Sequence, residues 1–271
     1  MAHLEDAIPG LAEFTRWFAE DATRYVVIGG VAREMIYREA GLWEESGTKD
    51  FDMVLIAEAL DAPFVAKFIQ FVREAHYTHV TKNGDAQMFR FCRPASSAYP
   101  HQIELLSRRP DYLEGIEARI GKVPVENAAY SLSAILLDEA YYGLLASKEA
   151  VTHRYGFPTL SHEYLPLFKM KAYLNLREAR ANGEPVRSGE IGKHRRDIFR
   201  LCSLLPPTIR VEFTRGIANG CEGVRGDRRM SPAFHEGHRP GCLCPRRSEG
   251  NYHPHISVGV ISIFIGYSMH P

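Results

Sequence analysis

Two aspartates one residue apart, Asp50 and Asp52, open the otherwise apolar run Asp50-Phe51-Asp52-Met53-Val54-Leu55-Ile56. On a strand, residues two apart project to the same face, so the two carboxylates stand side by side while Phe51 turns into a core. Adjacent carboxylates repel unless a cation neutralises them. Hard oxygen donors suit Mg²⁺, which commonly binds through one or two carboxylates plus the phosphates of a substrate. Upstream, Tyr25-Val26-Val27-Ile28 is stopped by Gly29-Gly30. Glycines there let a phosphate approach the backbone at the start of the next helix, whose N–H groups favour anions. Lys49 adds a cation next to the pair. These residues predict a site for a metal-bound nucleoside triphosphate, with Gly29, Gly30 and Lys49 on the nucleotide and Asp50 and Asp52 on the metal. A D-x-D alone is common on solvated strand edges, and Gly-Gly alone says less still; the order strand, Gly-Gly, helix, D-x-D is what gives them weight.

Glu104, in Ile103-Glu104-Leu105-Leu106, is the next acid framed by apolar neighbours. Burying it without a partner would be costly, so it calls for a metal or a basic group, and Arg108 and Arg109 are the nearest candidates in sequence. Further on, Lys193, Arg195 and Arg196, with Arg180, Arg187 and Arg200, form a local basic segment. It suits an RNA backbone and equally suits an ordinary solvated helix face.

The elements that must hold these residues follow from periodicity and punctuation. Leu11, Phe14, Trp17 and Phe18 recur at helical spacing; residues 25–28 form a buried strand, 31–40 a helix closed by Gly41, 50–56 a strand and 62–75 a helix. Asn83-Gly84 with Asp85 marks a hairpin turn between two strands, and Gln102–Ser107 is a further strand. Ala128–Ala146 is rich enough in Leu, Ala and Tyr to read as mostly helix. Tyr164–Ala181 is a helix with Leu165, Phe168, Ala172, Leu176 and Ala179 along one stripe, and Ile191–Leu205 is a second, stopped by Pro206-Pro207. The expected fold is α+β: a mixed sheet flanked by helices over residues 1–112, an α-helical domain over 113–220, and an irregular tail over 221–271, with the active site between the two domains.

Composition narrows the function classes. The 271 residues carry 33 Lys and Arg against 33 Asp and Glu, so there is no global field for polyanions and any nucleic-acid contact must be local. Five unevenly placed cysteines do not make a secreted disulfide framework, and neither an export signal nor a membrane-length apolar run is legible; a cytoplasmic chain is expected. The tail breaks this pattern. Residues 221–271 hold five of the 12 His, three of the five Cys and no Lys, with no sustained periodicity, as in a loosely packed tail or a frameshifted C-terminus. Cys221, His235, His238, Cys242, Cys244, His253 and His255 are zinc-type donors, but their spacing fits no standard finger and no CxxC exists, so zinc is not expected. The apolar, β-rich run Ile256–Tyr267 is either an added strand or an aggregation-prone end.

The order strand, Gly-Gly, helix, apolar-flanked D-x-D resembles motif I of the DNA polymerase β-like nucleotidyltransferase superfamily. The nineteen residues between Gly30 and Asp50 exceed what that motif usually has, and the excess falls on the Leu42–Gly47 loop. Four ordered stretches, Thr48–Asp52, Ile103–Asp111, Leu165–Arg177 and Lys193–Leu201, resemble the AbiEii/AbiGii nucleotidyltransferase toxin family. The resemblance spans about residues 25–205 and implies a minimal nucleotidyltransferase domain followed by a helical domain, acting as the toxin of a bacterial toxin–antitoxin or phage-defence pair. It implies transfer of a nucleotide from an NTP to RNA, notably tRNA, and a separately encoded antitoxin as partner. Carried over by motif, Asp50 and Asp52 are metal ligands joined by Glu104 as third acid, Lys169 is the triphosphate lysine and Asp197 the last catalytic acid. Lys171 rivals Lys169 but lies about 200° round the helix, so one of the two is expected in the site and the other on the surface. Two alternatives stand beside this: a non-catalytic binding protein on the same fold, and an antibiotic-modifying nucleotidyltransferase.

Overall fold

β-Branched and aromatic residues concentrate where the chain must cross a core, and in the computed structural model they build one large mixed sheet. The structure describes residues 8–42, 48–82, 85–113, 120–128, 132–206, 209–214, 217, 244–246 and 258–262. These fall into two compact units, residues 1–161 and 162–271.

In the first unit, α1 (Leu11–Phe18) leads into β1 (Tyr25–Ile28) and α2 (Gly29–Glu39), then β2 (Asp50–Leu55) and α3 (Ala62–Glu74). The hairpin β3 (Thr78–Lys82) and β4 (Asp85–Cys92) follows, then β5 (Gln102–Ser107), β6 (Ile120–Val123) and β7 (Leu132–Leu136). The unit closes with α4 (Glu139–Ala146), β8 (Val151–Thr152) and β9 (Thr159–Leu160). The strands lie in the order β3-β4-β5-β2-β1-β9-β8, with β7 beside β5 and β6 beside β7. β2 runs parallel to β5 and antiparallel to β1, and β5 runs antiparallel to β4. This mixed α/β architecture agrees with the expected α+β class.

Alternation along the central strands separates two faces. Tyr25 and Val27 of β1, Phe51, Met53 and Leu55 of β2, Ile103 and Leu105 of β5 and Phe91 of β4 all enter one buried apolar core. There they meet Phe14 and Phe18 of α1 and Phe64, Phe68 and Phe71 of α3. Phe51 is fully buried, with its ring 5.2 Å from that of Phe14, so its neighbours Asp50 and Asp52 are turned to the opposite face. α3 starts where the Asp61 carboxylate accepts a hydrogen bond from the Phe64 N–H at 2.9 Å, with Pro63 in its first turn.

Two expectations are corrected in this unit. The stretch 128–146 is not mostly helical: among its described residues, 132–136 form β7, and only Glu139–Ala146 is helix. Leu132 and Ala134 are buried and Ser133 is half-buried, a period of two that the Leu/Ala-rich composition disguised. The division also falls at 161/162 rather than 112/113. β7 pairs in parallel with β5 (Leu106↔Ile135), and β9 pairs in parallel with β1 (Val27↔Thr159), so residues 120–160 complete the first sheet. Such long-range pairing leaves no local sequence signal.

In the second unit, α5 (Leu165–Ala181) packs against α6 (Glu190–Ser203), close to the expected helices. The region is not all-helical, since β10 (Arg210–Thr214) lies within the span expected to be helical. It joins β12 (Val258–Ser262) and β11 (Cys244–Arg246) in a three-stranded antiparallel sheet. β12 falls inside the apolar run 256–267, the strand alternative for that segment. The other zinc-type donors of the tail lie outside the described residues.

The buried face of α5 differs from the expected stripe. It runs through Leu165, Pro166, Leu167, Lys169, Met170 and Tyr173, while Phe168, Ala172, Leu176 and Ala179 are half-buried. A charged residue on the inner face shifted the apparent apolar stripe round the helix. Among the described residues, no helix is long and apolar enough to cross a membrane.

Candidate functional site

The Gly29-Gly30 turn and the D-x-D strand meet directly. β1 pairs with β2 so that Ile28 lies opposite Asp52, bringing the next residue, Gly29, against the carboxylate. Gly29 has φ +67°, and a Cβ built on it would fall 1.9 Å from Asp52 Oδ2. Only glycine satisfies both the left-handed backbone and the close approach. At Gly30 a Cβ would come within 2.3 Å of Thr48 Oγ1, so the strand entering the D-x-D also packs on the turn.

Register continues the polar row across the sheet. Asp52 pairs with Glu104 and Asp50 with Gln102 across the parallel β2–β5 ladder. On the far side of β5, Arg90 pairs with Glu104 and Cys92 with Gln102. Residues in direct register share a face, so Asp50, Asp52, Gln102, Glu104, Arg90 and Cys92 form a polar patch on the side away from the aromatic core. Asp50 is exposed and Asp52 half-buried, with His101 Nδ1 3.8 Å from Asp50 Oδ1. Lys49 is exposed at the start of the strand, where its carbonyl accepts from the His101 N–H.

The basic partner of Glu104 is Arg90, not Arg108 or Arg109. Arg90 Nε lies 2.7 Å from Glu104 Oε1, and Gln102 Nε2 donates to the same oxygen at 2.9 Å. Arg108 instead pairs with Glu58 at 2.9 Å and Asp111 at 3.0 Å, and Arg109 donates to the Leu113 carbonyl. Sequence reasoning missed Arg90 and Gln102. The alternation Phe89-Arg90-Phe91 puts Arg90 on the polar face, but which acid it meets depends on register, which no local pattern encodes. Cys92 Sγ donates to Gln102 Oε1 at 3.4 Å, and burial raises its thiol pKa.

Lys169 and Asp197 are both almost fully buried, and Lys169 Nζ lies 2.9 Å from Asp197 Oδ2, joining α5 to α6. Lys171, two residues on, is half-buried, while Lys193, Arg195 and Arg196 are exposed on α6. The basic segment is therefore solvent-facing, as either of its two readings requires.

Among the described residues, no group of three or more His, Cys, Asp or Glu side chains is placed to hold a metal ion. The Asp50–Asp52 pair nonetheless fits Mg²⁺ in its donor chemistry: two hard carboxylates on one face, one of them seated in the space a Gly29 side chain would fill. Glu104 Oε1 is taken by Arg90 and Gln102, whereas Oε2 has no hydrogen-bond partner among the described residues. Compared with protein-family models, curated proteins and solved structures, the chain matches none.

Proposed function

We propose that the chain is a Mg²⁺-dependent nucleotidyltransferase of the AbiEii/AbiGii type. In this reading it is the toxin of a bacterial toxin–antitoxin or phage-defence pair, works in the cytoplasm, transfers a nucleotide from an NTP to RNA, with tRNA as the first candidate, and is neutralised by a separately encoded antitoxin. One contact carries the reading: Asp52 Oδ2 occupies the position of the missing Gly29 side chain, so the phosphate-tolerant turn and the D-x-D form a single constellation. Asp50 and Asp52, with Glu104 Oε2, are the oxygens that would hold the metal, which supplies charge neutralisation to the triphosphate. The α2 N-terminus and the Gly29-Gly30 backbone receive phosphate oxygens, Lys49 flanks them, and the exposed Lys193, Arg195 and Arg196 suit an RNA backbone. The hydroxyl of the acceptor attacks the α-phosphate, the α–β bridging bond breaks and pyrophosphate leaves, a reaction governed by positioning and electrostatics.

One observation favours the non-catalytic alternative. Lys169 and Asp197, assigned by resemblance to triphosphate and catalysis, are buried in an ion pair with each other, as structural charges would be. The discriminating experiment offers each α-labelled NTP with Mg²⁺ to total tRNA and to an aminoglycoside panel, using wild type beside Asp50→Ala, Asp52→Ala and Lys169→Ala. Label on RNA, lost in all three variants, is expected. Label on an aminoglycoside moves the acceptor class, and folded wild-type protein that transfers no label rejects the enzyme.

A further inference from the structure

Arg90 sits at the end of a row of charges that its own partner does not use up. Across β2, β5 and β4 the register runs Asp52, Glu104, Arg90, placing the arginine two strand spacings, or about 10 Å, from the D-x-D strand on the same face. Its Nε lies 2.7 Å from Glu104 Oε1 in an ion pair without hydrogen-bond geometry, and the Gln102 amide donates to the same Glu104 oxygen at 2.9 Å. The two terminal nitrogens of the guanidinium have no hydrogen-bond or ion-pair partner among the described residues, and the side chain is 37% exposed. A guanidinium held beside a carboxylate by charge keeps its two terminal NH₂ groups as a planar fork, the geometry that matches two oxygens of a phosphate. A cation at the carboxylates would neutralise one end of a polyphosphate; the other end, carrying two or more negative charges, needs a second positive group on the same face.

We infer that Arg90 contacts the polyphosphate of the bound nucleotide and that Glu104, through Oε1, is the residue that positions it. This rests on the nucleotide-site reading proposed above and deepens it, since a fork at that distance selects triphosphates over monophosphates. Lysine at position 90 would keep the charge and the ion pair but lose the fork. Glutamine at position 104 would keep a polar side chain beside Arg90 but remove the charge of the ion pair, whereas alanine would remove both.

The test is equilibrium binding of inorganic tripolyphosphate, the four NTPs and the four nucleoside monophosphates, each with Mg²⁺, to wild type, Arg90→Ala, Arg90→Lys, Glu104→Gln, Glu104→Ala and Asp52→Asn. Thermal midpoints report folding, and Mn²⁺ binding read by electron paramagnetic resonance reports the carboxylates independently. Arg90→Ala should weaken tripolyphosphate and NTP binding by about ten- to a hundredfold, the worth of charge-assisted hydrogen bonds. It should leave monophosphate binding within about twofold of wild type, while Mn²⁺ binding shows separately whether the neighbouring Glu104 carboxylate still serves the metal. Arg90→Lys should recover part of the loss and serves as the folded variant if alanine destabilises the sheet. Glu104→Ala should follow Arg90→Ala for tripolyphosphate, and Glu104→Gln should bind it more tightly than Glu104→Ala does. Wild type that binds triphosphate, with Asp52→Asn losing it and the Arg90 variants retaining it, overturns this inference and leaves the nucleotide site standing. Wild type that binds neither NTP nor tripolyphosphate overturns both.

Discussion

At Gly29 one methyl group opposes both the backbone and the site. Its φ of +67° lies in the left-handed region, and its Cβ would fall 1.9 Å from Asp52 Oδ2. Gly41 provides the control, with φ +71° and nothing within 4 Å of its own Cβ. Gly41→Ala should cost about 1 kcal/mol for the backbone alone. Gly29→Ala should cost about 1–3 kcal/mol more, because the Asp52 carboxylate or the strand must move. Denaturant midpoints of the two variants measure the difference, and equal losses would mean that Asp52 swings aside freely. The same residues show how far the site was legible. That Asp50 and Asp52 share a face beside a glycine turn could be read because it is local: a period of two, and a turn. The pairing of Arg90 with Glu104 could not, because it depends on a strand register set by distant pairing.

At the scale of elements, charge inside helices decides what a sequence can disclose. α5 hides Lys169 on its inner face, and α2 buries Arg33 and Glu34 beside its apolar residues, with Glu34 Oε1 2.9 Å from Arg38 Nε. Hydrophobic periodicity assigns such positions to solvent, so the expected stripe on α5 was displaced. The Lys169–Asp197 pair makes this testable. Asp197→Ala would leave a buried ammonium without that carboxylate and should cost about 3–5 kcal/mol. The double variant Lys169→Met with Asp197→Leu removes both charges and should cost much less, which a thermal unfolding series of single and double variants resolves. At α3 the electrostatics depend on pH. The Arg24 guanidinium, 2.6 Å from Asp61 Oδ2, and the Phe64 N–H hold the Asp61 carboxyl below its ordinary range. A carboxyl lowered in the folded state stabilises above its unfolded pKa, and that stability is lost as pH falls through the folded value. Asp61→Asn keeps a helix cap but loses the charge. Wild type should therefore exceed it in stability at neutral pH, with the gap closing in acid below the ordinary carboxylate range. A gap that persists unchanged there would assign the effect to hydrogen bonding alone.

At the scale of the whole molecule, the chain divides where its sheet is complete and not where its composition first turns helical. The α+β class was legible because β1, β2, β5 and their helices announce themselves by apolar runs and glycine stops. The division was not, because β7 and β9 join the sheet through partners at Leu106 and Val27, far away in sequence. Among the described residues, the nine strands of the large sheet end by Leu160, and Ser161 is still tied to it by its N–H bond to the Ala150 carbonyl at 2.8 Å. The aromatic core of α1, α3 and the central strands is likewise assembled from residues before 161. A chain ended at Ser161 is therefore expected to fold alone, with a cooperative thermal transition and strand-rich circular dichroism, whereas one ended at Tyr112, the boundary composition suggested, would lack β6, β7 and β9 and should not. Under the proposed function the 1–161 chain keeps Asp50, Asp52 and Arg90 but lacks Lys169 and Asp197. It should bind Mg²⁺ and tripolyphosphate while failing to transfer a nucleotide. Transfer by that shortened chain would show that the second unit contributes nothing to the chemistry, and would leave Lys169 and Asp197 as a structural pair.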